Sequence, residues 1–216
     1  MKIKWHGHAC FEIVTSDGKV IVIDPHDGIS IGLRRPHVLG DIILVTHNHF
    51  DHNAVDVVKK PESIVLRSFT GSKTINGISV KGVKAYHDRS KGRLRGSVSI
   101  YVIEADGLRL VHLGDLGHIL TDEHVGEIGE VDILFNPVGG TYTTEPDEAW
   151  KNVELLKPRI VVPMHYWVPG LNLPLKPVED FLRYAKKYKV IRLETSSFEV
   201  ARETLPAEPS IYVLRL

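Results

Sequence analysis

Glutamine is absent from the 216 residues, and cysteine and methionine are nearly so, with one Cys and two Met. A lone thiol, Cys10, cannot close an internal disulfide, so nothing demands an oxidising compartment and a cytoplasmic location is expected. Flanked by Ala9 and Phe11, that thiol reads as a buried structural group rather than a nucleophile. Few thermolabile side chains beside 27 basic and 27 acidic ones form the compositional pattern of a thermophile, and a thermophilic source is expected. The formal net charge is +0, with no block of either sign, which leaves no electrostatic footprint for a large nucleic acid. No apolar run approaches the length of a membrane span, and Met1 to His6 lacks the apolar core of a signal peptide. The expected partner is a small-molecule substrate, with no membrane and no large nucleic acid; a homo-oligomer stays open. A hydrophobic fraction of 43% and a charged fraction of 25% suit a globular protein, and the length suits one domain over residues 1–216.

What the chain has in abundance is histidine at one place. The apolar run Ile42 to Thr46 reads as a buried strand, and it delivers His47-Asn48-His49-Phe50-Asp51-His52-Asn53 at its end. Burying several unpaired polar groups costs roughly 1–3 kcal/mol each, so this cluster calls for a cation. An incidental cluster on a solvated loop is the alternative.

Around that stretch the first sixty-odd residues read as strands and turns. Phe11–Val14 and Val20–Asp24 flank Ser16-Asp17-Gly18-Lys19, a hairpin with Asp-Gly at its tip. Asn53 to Lys60 reads as a short helix stopped by Pro61, and Ser63–Arg67, Ile78–Tyr86, Val98–Glu104 and Leu108–Leu113 read as strands. Beyond residue 115 helix and strand alternate. Helices are expected at Asp122 to Ile128, at Pro146 to Leu156 with Thr144 as N-cap, and at Pro177 to Lys187. Strands are expected at Val131–Phe135, Ile160–Met164, Val190–Leu193 and Ile211–Leu214. Strands followed by strand–helix alternation imply an α/β architecture of two packed sheets with helices outside. Asp24, His47, His87, Asp115 and His165 all fall at strand ends, where a rigid scaffold presents a site.

His47-x-His49-x-Asp51-His52, the isolated His87, Gly114-Asp115 and then His165 together resemble the metallo-β-lactamase superfamily. Gly7-His8-x-x-Phe11, Leu113-Gly114-Asp115-x-Gly117 and Pro137-x-Gly139-Gly140-x-x-Thr143 are similar to a narrower branch, which holds L-ascorbate-6-phosphate lactonase and a large group of uncharacterised metal-dependent hydrolases. The resemblance implies a four-layer αβ/βα sandwich of two mixed sheets with two divalent metal ions at one edge. It implies that His47, His49 and His87 hold one ion, that Asp51, His52 and His165 hold the other, and that Asp115 bridges. Three imidazoles leave an open position on the first ion, the style of a catalytic site. Two carboxylates only partly neutralise two dications and leave a site suited to anions, and a bridging water can be deprotonated at a pH near about 7. Zinc is the expected metal, with manganese, iron or nickel also compatible with the donors.

By the same resemblance Asp24 orients a ligand histidine from behind; capping the turn before Pro25 is the alternative. His118, three residues past Asp115, is expected to touch substrate or donate a proton, the alternative being a surface histidine. His8 is expected at the site mouth, a purely structural histidine being the alternative. Gly139, Gly140, Thr141 and Thr143 lie before a helix start, where inward N–H groups would bind a substrate anion; a bare tight turn is the alternative. The basic loop Asp88 to Gly96 either overhangs the site or is simply solvated. His6, His26, His37, His112 and His124 read as ordinary histidines. The leading function is hydrolysis of an ester, lactone or phosphodiester in a small anionic substrate. A non-catalytic metal-stabilised module and a redox di-iron protein are the alternatives; the second suffers from histidine at His49, where redox relatives carry a carboxylate.

Overall fold

The computed structural model describes all of residues 1–216. Its first half builds β1 (Lys2–Trp5), β2 (Phe11–Val14), β3 (Val20–Ile23), β4 (Gly40–Val45), β5 (Lys59–Arg67), β6 (Gly71–Ile75) and β7 (Ile78–Tyr86). The second half adds β8 (Ser97–Ala105), β9 (Leu108–His112), α1 (Asp122–Ile128), β10 (Ile133–Pro137), α2 (Pro146–Leu156) and β11 (Ile160–Met164). It closes with α3 (Val178–Leu182), β12 (Lys189–Arg192), β13 (Ser197–Glu199) and β14 (Ser210–Val213). Two mixed sheets result, in the orders β13-β1-β2-β3-β4-β5 and β12-β14-β11-β10-β9-β8-β7-β6.

Alternation drives this pairing. In β4, Ile42 and Leu44 join Ile21 and Ile23 of β3 in a core of 52 buried residues that also takes in the second sheet, so the two sheets share one interior. Ile43, Val45 and Val22 face the other way and pack with Cys10, Val55 and Val58 in a separate buried cluster. Cys10 is buried as expected, and burial pushes its thiol pKa up. Near the metal-motif end the sheets are stitched together: Ser99 N–H donates to Thr46 O at 2.9 Å, and the buried Tyr101 hydroxyl donates to Val45 O at 3.0 Å.

Several elements depart from expectation. No helix forms over Asn53 to Lys60. A single 3-10 turn at Val55–Val57 gives way to β5, which runs through Pro61. β5 is the outermost strand of its sheet and its register with β4 shifts between Gly40 and Ile42, so the missing proline N–H costs little. The outer face of the first sheet is thus covered by this turn and loops, while α1 packs on β7 and α2 on β10 and α3. The helix expected through Lys187 stops at Leu182, and tight turns take the chain onward. Thr144 is not the cap of α2. Glu145 occupies that position, with its N–H donating to Glu148 at 3.0 Å, while the Thr144 hydroxyl donates to Pro137 O.

Candidate metal centre

Strands running in one sense deliver the donors. β3 and β4 are parallel and end at Asp24 and Thr46-His47; β9, β10 and β11 are parallel, with Asp115 three residues past β9 and His165 directly after β11. β7, antiparallel to β8 as β8 is to β9, ends at His87.

Two separate sets of donors gather there, each with its ligand atoms within 4.8 Å of one another: His47, His49 and His87, and His8, Asp51, His52 and His165; Asp24 with His47 and His52 forms a third group that overlaps both. Asp115 lies between them. Its Oδ2 is 3.2 Å from His87 Nε2 and 3.2 Å from His165 Nε2, and its Oδ1 is 2.9 Å from His52 Nε2. His47 Nε2, both ring nitrogens of His52 and of His165, and Asp115 Oδ1 are buried with no aligned hydrogen-bond partner. Such atoms cost roughly 1–3 kcal/mol each when left unpaired, and cations satisfy them together. The donor chemistry therefore fits divalent ions.

Protonation points the same way. Burial, reinforced by neighbouring imidazoles, lowers His47 to about 2 and His8 to about 3, and it also lowers His49, so these rings are neutral donors at neutral pH. Burial opposes ionisation of Asp115, yet His165 and His52 hold it well below the usual carboxylate range, and His52 and His8 do the same for Asp51. His52 is the exception: burial disfavours its charge, but Asp115 and Asp51 on either side raise it well above 6.5. A bound dication would displace that proton.

Behind the donors lies a relay. Asp24, fully buried, accepts from Thr46 N–H and from the Thr46 hydroxyl at 2.7 Å each, and that hydroxyl lies 2.9 Å from His47 Nδ1. Nδ1–H is thereby directed at oxygen and Nε2 is left for a metal. Asp24 lies behind His47 and reaches it through Thr46 rather than by direct contact. Burial pushes its carboxyl up to about 7, against the opposing pull of His52 and Thr46. His112, read from sequence as ordinary, is fully buried. It bridges Ala9 O at 3.0 Å and Gly114 N–H at 3.1 Å, and so holds the chain entering Asp115.

A cleft of about 300 Å³ opens over the donors. Its floor is His49, Asp51, His87 and Asp115, and its walls are Phe50, Arg95, Tyr142 and Leu173. Four larger depressions, of about 420 to 680 Å³, lie elsewhere, and none is lined by a donor cluster; the two largest contain the exposed Arg202–Asp132 ion pair.

Several residues expected to meet substrate are placed otherwise. His8 is not at a mouth: it is fully buried, 3.0 Å from Asp51 Oδ2, with its ring 4.2 Å from that of His165. His118 lies outside the cleft; its Nε2 accepts from Tyr86 N–H and its Nδ1 faces Ile119 O at 2.8 Å, so neither nitrogen is free for a substrate. The Gly139–Thr143 turn does not offer an anion pocket. Gly139 packs so tightly on His165 that an added Cβ would lie 2.2 Å from its carbonyl oxygen, while Gly140 O accepts from Tyr142 and Thr143 N–H. The Thr141 hydroxyl donates to Pro174 O, and Thr143 is buried. The helix start beyond is occupied by the protein's own carboxylates, Glu145 and Glu148. Within that turn Tyr142 reaches the cleft, and its aromatic ring amid glycines and threonines was the available signal.

Two packed mixed sheets with histidine and aspartate gathered at their strand ends define a metallohydrolase scaffold. A family model described as the beta-lactamase superfamily domain matches residues 2–165. A UPF0173 metal-dependent hydrolase of Thermococcus onnurineus is 37% identical over 196 residues, covering 78% of this chain and 87% of its own. Among solved structures, a protein of Thermotoga maritima assigned to the Zn-dependent hydrolases of the metallo-beta-lactamase superfamily is 37% identical. It superposes with a TM-score of 0.79 over 99% of this chain and 97% of that one. A metallo hydrolase of the hyperthermophilic archaeon Ignicoccus hospitalis is 25% identical, with a TM-score of 0.68 over 92% and 98% of the two chains. The chain belongs to the beta-lactamase superfamily, among its metal-dependent hydrolases.

Proposed function

We propose that this hydrolase cleaves an ester, lactone or phosphodiester bond in a small anionic substrate, using two divalent ions. His47, His49 and His87 would hold one, and Asp51, His52 and His165 the other, with Asp115 between them. The observation that carries the reading is the Asp115 carboxylate, whose Oδ2 lies 3.2 Å from one histidine of each set. Ions bound there would bring a water's pKa to roughly 7 and polarise the scissile group, so the chain need supply no nucleophile of its own. The chain's residues do the rest. Thr46 and Asp24 present His47 through Nε2, His8 fixes one oxygen of Asp51, and Phe50, Tyr142 and Leu173 give the cleft an apolar wall that limits water around the bond. Zinc is the first candidate, on the name of the Thermotoga maritima relative and on the imidazole-rich donors.

Elemental analysis of metal-loaded protein, paired with turnover of a nitrophenyl phosphodiester and a lactone, tests this. Near two equivalents of metal are expected, with activity lost on chelation and restored by zinc; parallel reconstitution with manganese, iron and nickel ranks the metals. Asp115→Ala should lose bound metal and slow turnover at least about a hundredfold, in line with the loss of a main electrostatic group. A fully metallated and fully active variant would remove Asp115 from the bridging role. Metal without turnover on either substrate would favour a binding module.

A further inference from the structure

The cleft wall carries one cation, and its setting distinguishes it from the rest of the basic loop. Arg89 is taken up by Glu148, at 3.0 and 2.5 Å. Lys91 and Arg93 line a separate surface depression together with Arg89 and Ser90. Arg95 alone of the four lines the cleft over the donors, and it makes no ion pair with Asp51 or Asp115 on the floor. Its guanidinium carbon lies 4.7 Å from the centroid of the Tyr142 ring. Stacked on its face, a guanidinium keeps its in-plane N–H groups for an oxyanion.

The loop that presents it is built rather than loose. Asp88 accepts backbone N–H groups from Ser90 and Arg95 at 2.7 Å and from Gly92 and Leu94 at 3.0 Å. The loop then closes on the metal motif, with His87 N–H donating to Gly96 O at 3.0 Å. The backbone of Arg95 is therefore fixed on one side by its own N–H to Asp88 and on the other by Gly96 O to His87 N–H, which sets where the side chain leaves the loop relative to the donors. The guanidinium is thus without a carboxylate partner, stacked on an aromatic ring at the wall of the cleft that holds the donor cluster.

We propose that Arg95 is the anion-recognising residue of the cleft, binding a carboxylate or phosphate of the substrate that is separate from the bond cleaved, with Tyr142 and Phe50 flanking the apolar or planar part between. A group on Arg95 stands off the floor because the guanidinium does not reach the floor carboxylates. This rests on the hydrolase reading above and specifies its substrate class as an ester or lactone with a second, charged end.

Zinc-loaded wild type, Arg95→Gln, Arg95→Lys and Arg93→Gln would be compared on two esters of equal length, 4-nitrophenyl glutarate and neutral 4-nitrophenyl valerate. In Arg95→Gln the ratio of kcat/KM for glutarate over valerate should fall about ten- to a hundredfold, carried by KM, as expected for loss of a charge-assisted pair. Arg95→Lys, which keeps the charge without the fork, should fall between, and Arg93→Gln, which removes the same charge from the same loop, should keep the wild-type ratio. Calorimetric titration with glutarate and with inorganic phosphate reads the clamp without turnover. Binding weakened about tenfold or more in Arg95→Gln supports it even if neither ester is hydrolysed, in which case the hydrolase reading alone fails; the stronger of the two anions identifies the headgroup. Equal losses on both esters, or unchanged anion binding in Arg95→Gln, would overturn the assignment.

Discussion

His8, Asp24 and His165 sit on left-handed backbone, with φ of 53°, 47° and 52°. For residues with a Cβ that conformation costs of order 1–3 kcal/mol and persists only where the surroundings over-determine it. Around His8 they do. Its carbonyl accepts from Trp5 Nε1 at 2.9 Å and from His165 N–H at 3.1 Å, while its ring holds Asp51. The residue therefore positions two members of the second donor set, one through its backbone and one through its side chain. His8→Ala keeps the backbone contacts and removes the ring. Affinity at the set containing Asp51, His52 and His165 should drop about ten- to a hundredfold, the usual cost of losing an outer partner of a ligand. After dialysis against a weak chelator, elemental analysis should show close to one metal equivalent fewer than wild type. Metal content equal to wild type would show that Asp51 needs no such support.

At the scale of elements, precision at the site comes from strand exits packed against each other. Gly139, just past β10, donates its N–H to His165 O at 3.0 Å, and a Cβ there would lie 2.2 Å from that oxygen and 2.8 Å from Tyr166 Cα. Gly139→Ala must push the exits of β10 and β11 apart. A destabilisation of about 1–3 kcal/mol is expected for such overpacking, read as a fall in Tm of roughly 2–4 °C per kcal/mol for a chain of this size, together with weaker metal retention at His165. A variant with wild-type Tm and metal content would show that the contact has slack. The same packing explains what the sequence did and did not reveal. β11 and α2 have the boundaries read from sequence, because a short apolar run and a proline-started amphipathic turn are local signals. His47, His49, Asp51 and His52 were legible for the same reason, since they lie in one stretch, whereas His87, Asp115 and His165 are far apart in the chain and were named through the family resemblance. β6 and β13 were missed: Gly71–Ile75 is mostly exposed and lacks alternation, and Ser197–Glu199 is a three-residue edge strand. The inward turn of His8 and the approach of Arg95 to Tyr142 arise where loops from distant parts of the chain meet, and no local pattern encodes such a meeting.

Seven of the molecule's twelve histidines are buried, and this sets its response to acid. Burial lowers His8 and His112 to about 3, His26 to about 4 and His47 to about 2. Each is neutral in the folded chain and takes up a proton on unfolding once the pH is below 6.5. Stability from these four is therefore complete above about pH 6.5 and is lost as pH falls toward their folded values, each group changing the balance by about 1.4 kcal/mol per pH unit in that window. His52 acts in the opposite sense. Raised well above 6.5, its contribution is full below pH 6.5 and is lost as pH rises through its folded value. Below pH 6.5 His52 is protonated folded and unfolded and adds no slope, and Asp24, raised to about 7 by burial, offsets only one of the four imidazoles, so the depressed histidines prevail there; the depressed carboxyls of Asp51 and Asp115 add a further loss as pH drops below the ordinary carboxylate range. Bound metal steepens the effect, because protons compete for the same nitrogens. The metal-stripped protein should consequently show a Tm that falls between pH 6.5 and pH 5, and the loaded protein a steeper fall. A Tm that is flat or rises over that interval in the stripped protein would mean that the buried histidines take up protons without unfolding, through water or rearrangement at the donor sets. His112→Phe, which removes no donor side chain, should reduce the slope, since it takes one of the four groups out of the balance.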